Sequence, residues 1–518
     1  MTWFKAAEPN LPELLRLNAR WRPGKAAVID GDVTVSWREV AGRAARVAEA
    51  LFGLGLAKGD RVAILMNNGL PMLDAILGAT WGGFVAVPLN VSVADAGIAK
   101  MLVDCDAAAV IASDEHVARI DGMRDELPSR AKKALVAAGA DGDGWHELQA
   151  LVAAADAGRP VATLTPDDPC NIIYSSGTTG MPKGIVHSHG CRMAWAYDMS
   201  VALRYDSDAR TLISLGLYSN ITWVALLATI LCGGTVVLTR GFDVSGCLRV
   251  IEEQKISHSA MVPIQFQRLL AADEFGSRNL SSLRALMCCG SPLHPDLKSE
   301  IVRRLPGDFI ELYGLTEGLV TIQDPSEALD NPHSVGRPCP GQEIRIVDDN
   351  DEEVAVGQSG EILGIGRLLM SGYLNRDDAN EEATWVDALG RRWLRTGDIG
   401  RVDEAGNLYI VDRKKDMIIS GGQNIYPADI EAVIATHDDV DDVAVIGVRS
   451  AKWGETPLAV IVAARPGIDV DALVTWANGR LGRQQRIAGA RIIDALPRNP
   501  NGKVLKRELR KQFADVAF

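Results

Sequence analysis

The sequence predicts an α/β protein with a large N-terminal domain of mainly parallel sheets layered with helices, and a small α+β C-terminal domain. Two observations predict it. Short apolar runs alternate with helically periodic segments over roughly the first four hundred residues. After about Asp412 the composition changes to a compact unit of about a hundred residues with its own strands and helix. The length of 518 residues also exceeds one ordinary core, so two or more domains are expected.

Ser36-Trp37-Arg38-Glu39 is a capping-box pattern, and Val40, Val47 and Leu51 then recur at helical spacing. Beyond Gly55, the run Arg61–Met66 is short and apolar, as a buried strand is, and Phe84–Leu89, Ala107–Ala112 and Asn171–Tyr174 behave alike. Helical segments between such strands imply sheets that are largely parallel and covered on both faces. The stretch 134–158, rich in alanine and glycine, reads as a surface excursion. The greasy run Trp223–Leu238 is broken by Gly233-Gly234 and falls short of the roughly 18 apolar residues of a membrane span, so it reads as a buried element. Past the charged Arg413-Lys414-Lys415-Asp416 come Ser420-Gly421-Gly422, a helix opened by Pro427 and strands at Val443–Val448 and Leu458–Val462. The expected domains are 1–412 and 413–518, with a hinge at Asp412–Asp416.

Apolar content of 47% and charged content of 23% are globular values. A net charge of -13 favours solubility and argues against nucleic-acid or anionic-membrane partners. The eight cysteines include no C-x-x-C pair, which suits reduced thiols and gives no support to a disulfide framework or zinc site. His187 and His189 lack a carboxylate or cysteine beside them and read as strand or turn residues, not metal ligands. The N-terminus lacks the apolar core of a signal peptide, so the expected location is cytoplasmic; a homodimer is left open.

Chemistry concentrates in Tyr174-Ser-Ser-Gly-Thr-Thr-Gly-Met-Pro-Lys-Gly184, which follows a predicted strand. Glycines let backbone amides approach an anion, hydroxyls donate to phosphate oxygens and Lys183 adds a compact positive charge. It is not a Walker loop, because no Lys-Ser or Lys-Thr pair follows the second glycine. By itself the segment reads either as a phosphate cradle or as a flexible surface turn.

The run Ser175-Ser176-Gly177-Thr178-Thr179-Gly180-Met181-Pro182-Lys183-Gly184 resembles the signature loop of the adenylate-forming superfamily, which comprises acyl- and aryl-CoA ligases, peptide-synthetase adenylation domains and luciferases. Four more segments match that family in order: Tyr313-Gly314-Leu315-Thr316-Glu317, Trp393–Asp398, Tyr409–Arg413 and Asn501-Gly502-Lys503. Together they cover the chain nearly end to end.

The resemblance implies roles for these residues. It makes the loop from Ser175 to Lys183 a phosphate site, puts the Tyr313 ring against adenine, Gly314 in the nucleotide site, Thr316 near the α-phosphate, and Glu317, with Thr178, on Mg²⁺. A carboxylate is the hard oxygen ligand that Mg²⁺ prefers. Taken alone, Glu317 reads as an acid at a helix start. Asp398 is implied on the ribose hydroxyls and Arg413 on ribose or phosphates; alone, each is a solvated turn residue. Lys503 is implied at the reacting acid and α-phosphate, where a fixed cation offsets the repulsion between two anions. Its plain reading is the start of an exposed basic helix face formed by Lys506, Arg507, Arg510 and Lys511.

The resemblance further implies a mobile C-terminal domain hinged at Lys415, with Ser420-Gly421-Gly422 lining a tunnel for coenzyme A. The acyl pocket is expected around Tyr218, Trp223, Gly290 and Gly314, although a tryptophan on an apolar run is as readily core. Small-acid members carry tryptophan at the place of Gly314, and 217–223 contains no Arg or Lys for a second carboxylate. The implied reaction is ATP-dependent activation of an aromatic, alicyclic or medium-chain monocarboxylic acid to acyl-AMP, then acyl-CoA formation. Two rivals remain, a separate carrier protein as acceptor and a non-catalytic nucleotide-binding regulator. The chain departs from the family pattern at Gly216-Leu217-Tyr218-Ser219, where relatives have Pro-x-Phe-His, and at Gln484–Ala488.

Overall fold

The computed structural model describes residues 9–139, 143–156, 158–175, 182–421, 423–483, 485–498 and 502–518. The chain divides into two compact units: Met1–Pro332 with Pro338–Gln342 and Ile365–Ala383, and His333–Arg337 with Glu343–Gly364 and Thr384–Phe518. The 412/413 boundary read from the sequence lies inside the second unit.

The first unit is built on an eight-stranded and a nine-stranded sheet. In the former, Arg61–Leu65 pairs in parallel with Val85–Pro88 on one side and Ala109–Ser113 on the other. In the latter, Arg210–Ile213, His258–Met261, Ala285–Cys288 and Asp308–Gly314 follow one another in parallel register. Each apolar run expected to be a strand is one, because strands buried on both faces need no polar alternation. The capping box at Ser36 forms and opens helix Trp37–Gly53. Ser188 caps helix His189–Ala202 by accepting from the Cys191 amide at 3.1 Å. The greasy run divides at its glycine pair into helix Asn220–Cys232 and strand Thr235–Leu238. One core joins both sheets through these helices, with Trp37, Trp195 and Trp223 inside it.

The stretch 134–158 corrects the expectation of a surface excursion at its start and bears it out beyond, where only Leu148 among the described residues of 143–158 is buried. Leu135–Ala138 is a buried strand parallel to Ala109–Ser113, and Leu148–Ala154 is a helix. Its apolar Leu-Val-Ala-Ala run supplies a strand despite the alanine-rich surroundings.

In the second unit, strand Arg392–Val402 pairs antiparallel with Leu408–Arg413 and Thr384–Val386. A separate five-stranded sheet is organised on the antiparallel pair Val440–Ser450 and Gly454–Ala463, with helix Pro427–Ile434 against it. Helix Lys506–Gln512 is only in part the exposed basic face expected: Arg507 and Lys511 are exposed, but the other two basics are drawn inward. Leu509 is fully buried, Lys506 pairs with Glu431 at 2.7 Å and Arg510 with Asp416 at 3.0 Å. Among the described residues no helix is long and apolar enough to cross a membrane, and all eight cysteines are free thiols.

Candidate active site

The segment from Ser175 to Lys183 is flanked by two strands that pair antiparallel. Strands Pro169–Ser175 and Lys183–Ser188 pair so that Ser175 stands directly opposite Lys183. Ser176, Gly177, Thr178, Thr179 and Gly180 lie outside the described residues. Lys183 points its ammonium at the face of Tyr373, 4.6 Å from the ring centroid. Tyr373 reaches this place because Gly372-Tyr373 adds to the edge of these two strands, pairing with Val186 and Ile185. Its hydroxyl donates to Oε1 of Glu317 at 2.9 Å. Burial, then the Glu317 charge, raises the phenol pKa, so the donor proton is retained.

Glu317 sits just past strand Asp308–Gly314, which carries Tyr313 and Gly314 at its end. The turn that follows is closed by Gly318 N–H to the Leu315 carbonyl at 3.1 Å. Gly318 has φ +119°, and a Cβ there would stand 2.0 Å from the Leu368 carbonyl oxygen, so this place admits only glycine. The Glu317 carbonyl accepts from the Met370 amide at 2.7 Å. Among the described residues Glu317 makes no ion pair, and no three metal-ligating side chains cluster. A half-buried carboxylate with one oxygen fixed by Tyr373 and no ion pair among the described residues fits Mg²⁺, which takes one or two carboxylates and completes its shell with phosphates and water.

Behind this turn, His187 Nε2–H donates to the Thr316 carbonyl at 2.8 Å, and Nδ1 accepts from Arg192 at 3.2 Å. His187 is thus a strand residue, as expected, but one that ties the eight-stranded sheet to the end of a strand of the nine-stranded sheet. Complete burial and then the Arg192 charge hold its pKa well below the ordinary imidazole value.

At the expected acyl wall, Tyr218 is half-buried and lies over Gly216, where a Cβ would meet its ring at 2.1 Å. Gly290 is exposed and faces Ile221 and Val262. Gly314 is exposed as well. Trp223 corrects the expectation of a lining residue. It is 0% exposed, donates Nε1–H to the Leu217 carbonyl at 2.9 Å and packs its ring under Arg192. Its apolar helix faces the core on every side, so it backs the wall without surfacing.

The second unit carries its own group of candidate residues. Asp398 and Arg413 stand opposite each other on paired strands, with Nε 2.9 Å from Oδ1. Asp412 accepts from the Ala428 amide at 3.0 Å in the first turn of helix Pro427–Ile434, an anchorage suited to a helix N-terminus. Lys415 is exposed in the turn that follows. Lys503 is partly buried; desolvation, then the charge of Arg413, brings its pKa down to about 7, against the opposing pull of Asp398. Ser420 ends strand Ile418–Ser420, and Gly421 follows with φ +59° and its amide on the Trp453 carbonyl at 2.8 Å. Gly422 lies outside the described residues. A Cβ on Gly421 would stand 2.8 Å from the Trp453 ring, so glycine allows the indole to lie on the loop.

Tyr373, Arg192 and Trp453 escaped the sequence reading, as did the structural use of His187. Only the Gly-Tyr pair offered a signal, and a weak one, since nothing local announces pairing with a strand some two hundred residues earlier.

Residues 15–374 match the family described as AMP-binding enzyme, and 429–503 match the AMP-binding enzyme C-terminal domain. The chain is 34% identical to a feruloyl-CoA synthase of Amycolatopsis sp, over 96% of this chain and 97% of that protein. It is 34% identical to an indoleacetate–CoA ligase of Aromatoleum aromaticum, over 98% and 99%. Among solved structures, it resembles o-succinylbenzoate CoA synthetase from Bacillus subtilis in complex with the acyl-adenylate intermediate OSB-AMP. That likeness has a TM-score of 0.85 at 29% identity, covering 97% of this chain and 98% of that one.

Proposed function

That the chain belongs to the AMP-binding enzyme family is the premise from which we propose its reaction: ATP-dependent activation of a carboxylic acid as acyl-AMP, then transfer to coenzyme A. A carboxylate oxygen bonds to the α-phosphorus of ATP while the bond to the pyrophosphate oxygen breaks. The thiol sulfur of coenzyme A then bonds to the acyl carbon, the acyl–oxygen bond breaks, AMP leaves and the thiol proton passes to solvent. No protein nucleophile takes part. Positioning and charge neutralisation carry the chemistry.

In this reading the segment from Ser175 to Lys183 binds the phosphates, the Tyr313 ring faces the adenine, Gly314 borders the nucleotide and Thr316 meets the α-phosphate. Glu317 and Thr178 would hold Mg²⁺, which when bound would supply positive charge against the phosphates. Tyr373 keeps Glu317 oriented. Asp398, fixed by Arg413, takes the ribose hydroxyls, which suits an ionised acceptor. Lys503 supplies the cation for the first half-reaction. Ser420, Gly421 and Gly422 make the passage for the thiol arm in the second, as the C-terminal domain of 413–518 turns about Lys415. The observation that carries the reading is the cluster of Lys183, Tyr373 and Glu317, which brings two motif segments to one place.

The substrate is an aromatic, alicyclic or medium-chain monocarboxylic acid. Exposed Gly314 and Gly290 carry no side chain to fill an acyl pocket, and the segment 217–223 offers no cation. The two relatives named above take their names from aryl-containing acids, which supports the aromatic class. The test is pyrophosphate release from ATP and Mg²⁺ with ferulate, indole-3-acetate, cyclohexanecarboxylate, octanoate, acetate and succinate. Thioester formation is then compared between coenzyme A and a holo-carrier protein. Release with the first four acids above the last two, and transfer to coenzyme A, is the expected result; no release with any acid would end the proposal.

A further inference from the structure

Arg192 is the least expected charge in the molecule. It is 0% exposed, and among the described residues no carboxylate lies within ion-pair distance of its guanidinium. Burying an unpaired charge is costly, so neutral dipoles must surround it. Nε donates to Asn171 Oδ1 at 2.7 Å, Nη1 to Asn220 Oδ1 at 2.8 Å and Nη2 to His187 Nδ1 at 3.2 Å. The Trp223 ring lies under it, 4.8 Å away.

These contacts have a direction. A guanidinium has only donors, so His187 Nδ1 must be the lone-pair nitrogen and the imidazole proton must sit on Nε2. Nε2 faces the Thr316 carbonyl at 2.8 Å. That carbonyl belongs to the turn after strand Asp308–Gly314, beyond its ladder, where a backbone acceptor needs a partner from elsewhere. Asn171 lies on the strand leading into the phosphate loop and His187 on the strand leaving it. Arg192 therefore grips both of those strands and, through one fixed tautomer, the turn that bears Thr316 and Glu317.

We propose that Arg192 is a positioning residue for acyl-adenylate formation, acting through His187 to hold Thr316 in register with the phosphate loop. The inference rests on the reaction proposed above. The chemistry selects arginine: a neutral amide at 192 could donate or accept and would leave the imidazole tautomer free, and a lysine ammonium cannot span three acceptors in a plane.

Two substitutions at 187 separate the halves of the relay. His187→Asn keeps an acceptor near Nδ1 for Arg192 but removes the donor to Thr316. His187→Gln places an amide donor near Nε2 and removes the acceptor. Pyrophosphate release is measured with the acid of the panel that the wild-type protein uses fastest, alongside KM for ATP and the thermal midpoint. His187→Gln should keep kcat within about 3-fold, while His187→Asn and Arg192→Lys should lower it about 10- to 100-fold, the scale of one or two directed hydrogen bonds, with KM little changed. Nitrogen-15 spectra at pH 7, assigned by loss of the signal in His187→Gln, should show the His187 proton on Nε2. Equal losses in the Asn and Gln variants, kcat losses that merely track the thermal midpoint, or a proton on Nδ1 would overturn the proposal. If the wild-type protein releases no pyrophosphate with any acid, the reaction falls, and the nitrogen spectrum alone decides the relay.

Discussion

Tyr373 donates its phenol proton to Oε1 of Glu317 at 2.9 Å while lending its ring face to the ammonium of Lys183. Replacing the hydroxyl alone isolates the first of these contacts. Tyr373→Phe should lower the rate of pyrophosphate release about 10-fold or more, since a hydrogen bond to a charged group is worth about 1.5–3 kcal/mol. The Mg²⁺ concentration for half-maximal rate should rise as well, because Glu317 loses its orientation. A magnesium titration of both proteins checks this; an unchanged midpoint would show that Tyr373 serves only to pack Lys183.

Lys503, lowered to about 7, gives two pH predictions of opposite sense. Its cationic form predominates below that value, so kcat/KM for ATP should fall as pH rises through about 7. Lys503→Arg, charged throughout, should remove that limb. For stability the sign reverses. Between the folded value and the ordinary lysine value the unfolded chain binds more protons, so this residue's contribution to stability rises with pH across that window. Lys503→Met should therefore raise the thermal midpoint more at pH 6 than at pH 9, while crippling adenylation and sparing thioester formation from supplied acyl-adenylate. A midpoint difference independent of pH, or equal loss in both half-reactions, would reject this assignment.

What could be read before the fold was known follows a physical division. The strand leading into Ser175, the helix opened by Pro427 and the strands at Arg61–Leu65, Val85–Pro88 and Ala109–Ser113 are local features, fixed by apolar runs, caps and turn residues. Asp398 and Arg413 stood in two recognisable segments, yet their direct opposition depends on strand register, which neither segment states. Arg192 was invisible because a lone arginine on a helix is ordinarily solvated; its burial depends on Asn171 and Asn220, which close over it from other elements. Two of the four tail basics misled for the complementary reason. Lys506 and Arg510 recur like an exposed face, and only their acidic partners Glu431 and Asp416, far back in the chain, draw them inward.

The Asp398–Arg413 pair should separate binding from folding. The Asp398 side chain is 4% exposed and that of Arg413 32% exposed, so the acid relies on the arginine for its charge balance. Arg413→Ala should cost about 1–3 kcal/mol of stability, a partly screened version of breaking a buried pair, and raise KM for ATP. Asp398→Asn leaves no buried charge behind. It should cost less in thermal stability than Arg413→Ala yet raise KM for ATP about 10-fold or more through the lost ribose contacts. Thermal unfolding and ATP saturation curves on both variants decide it. If the two variants lost affinity only in proportion to stability, the pair would be a structural brace and not part of the nucleotide site.

Gly314 tests the acyl pocket, and its backbone dictates how. A Cβ there would stand 2.9 Å from the Leu319 carbonyl oxygen, so any substitution presses on the paired strand before its side chain reaches the pocket. Gly314→Ala carries that push without bulk and serves as the reference for Gly314→Trp. Relative to the alanine variant, tryptophan should shift kcat/KM from aromatic acids toward acetate by about 10-fold or more, since exclusion from a filled pocket exceeds the discrimination one methylene gives. Competition between ferulate and acetate in one reaction measures the ratio directly. Identical ratios in the alanine and tryptophan variants would place the pocket floor elsewhere, and Gly290, beside Ile221 and Val262, would be the next position to fill.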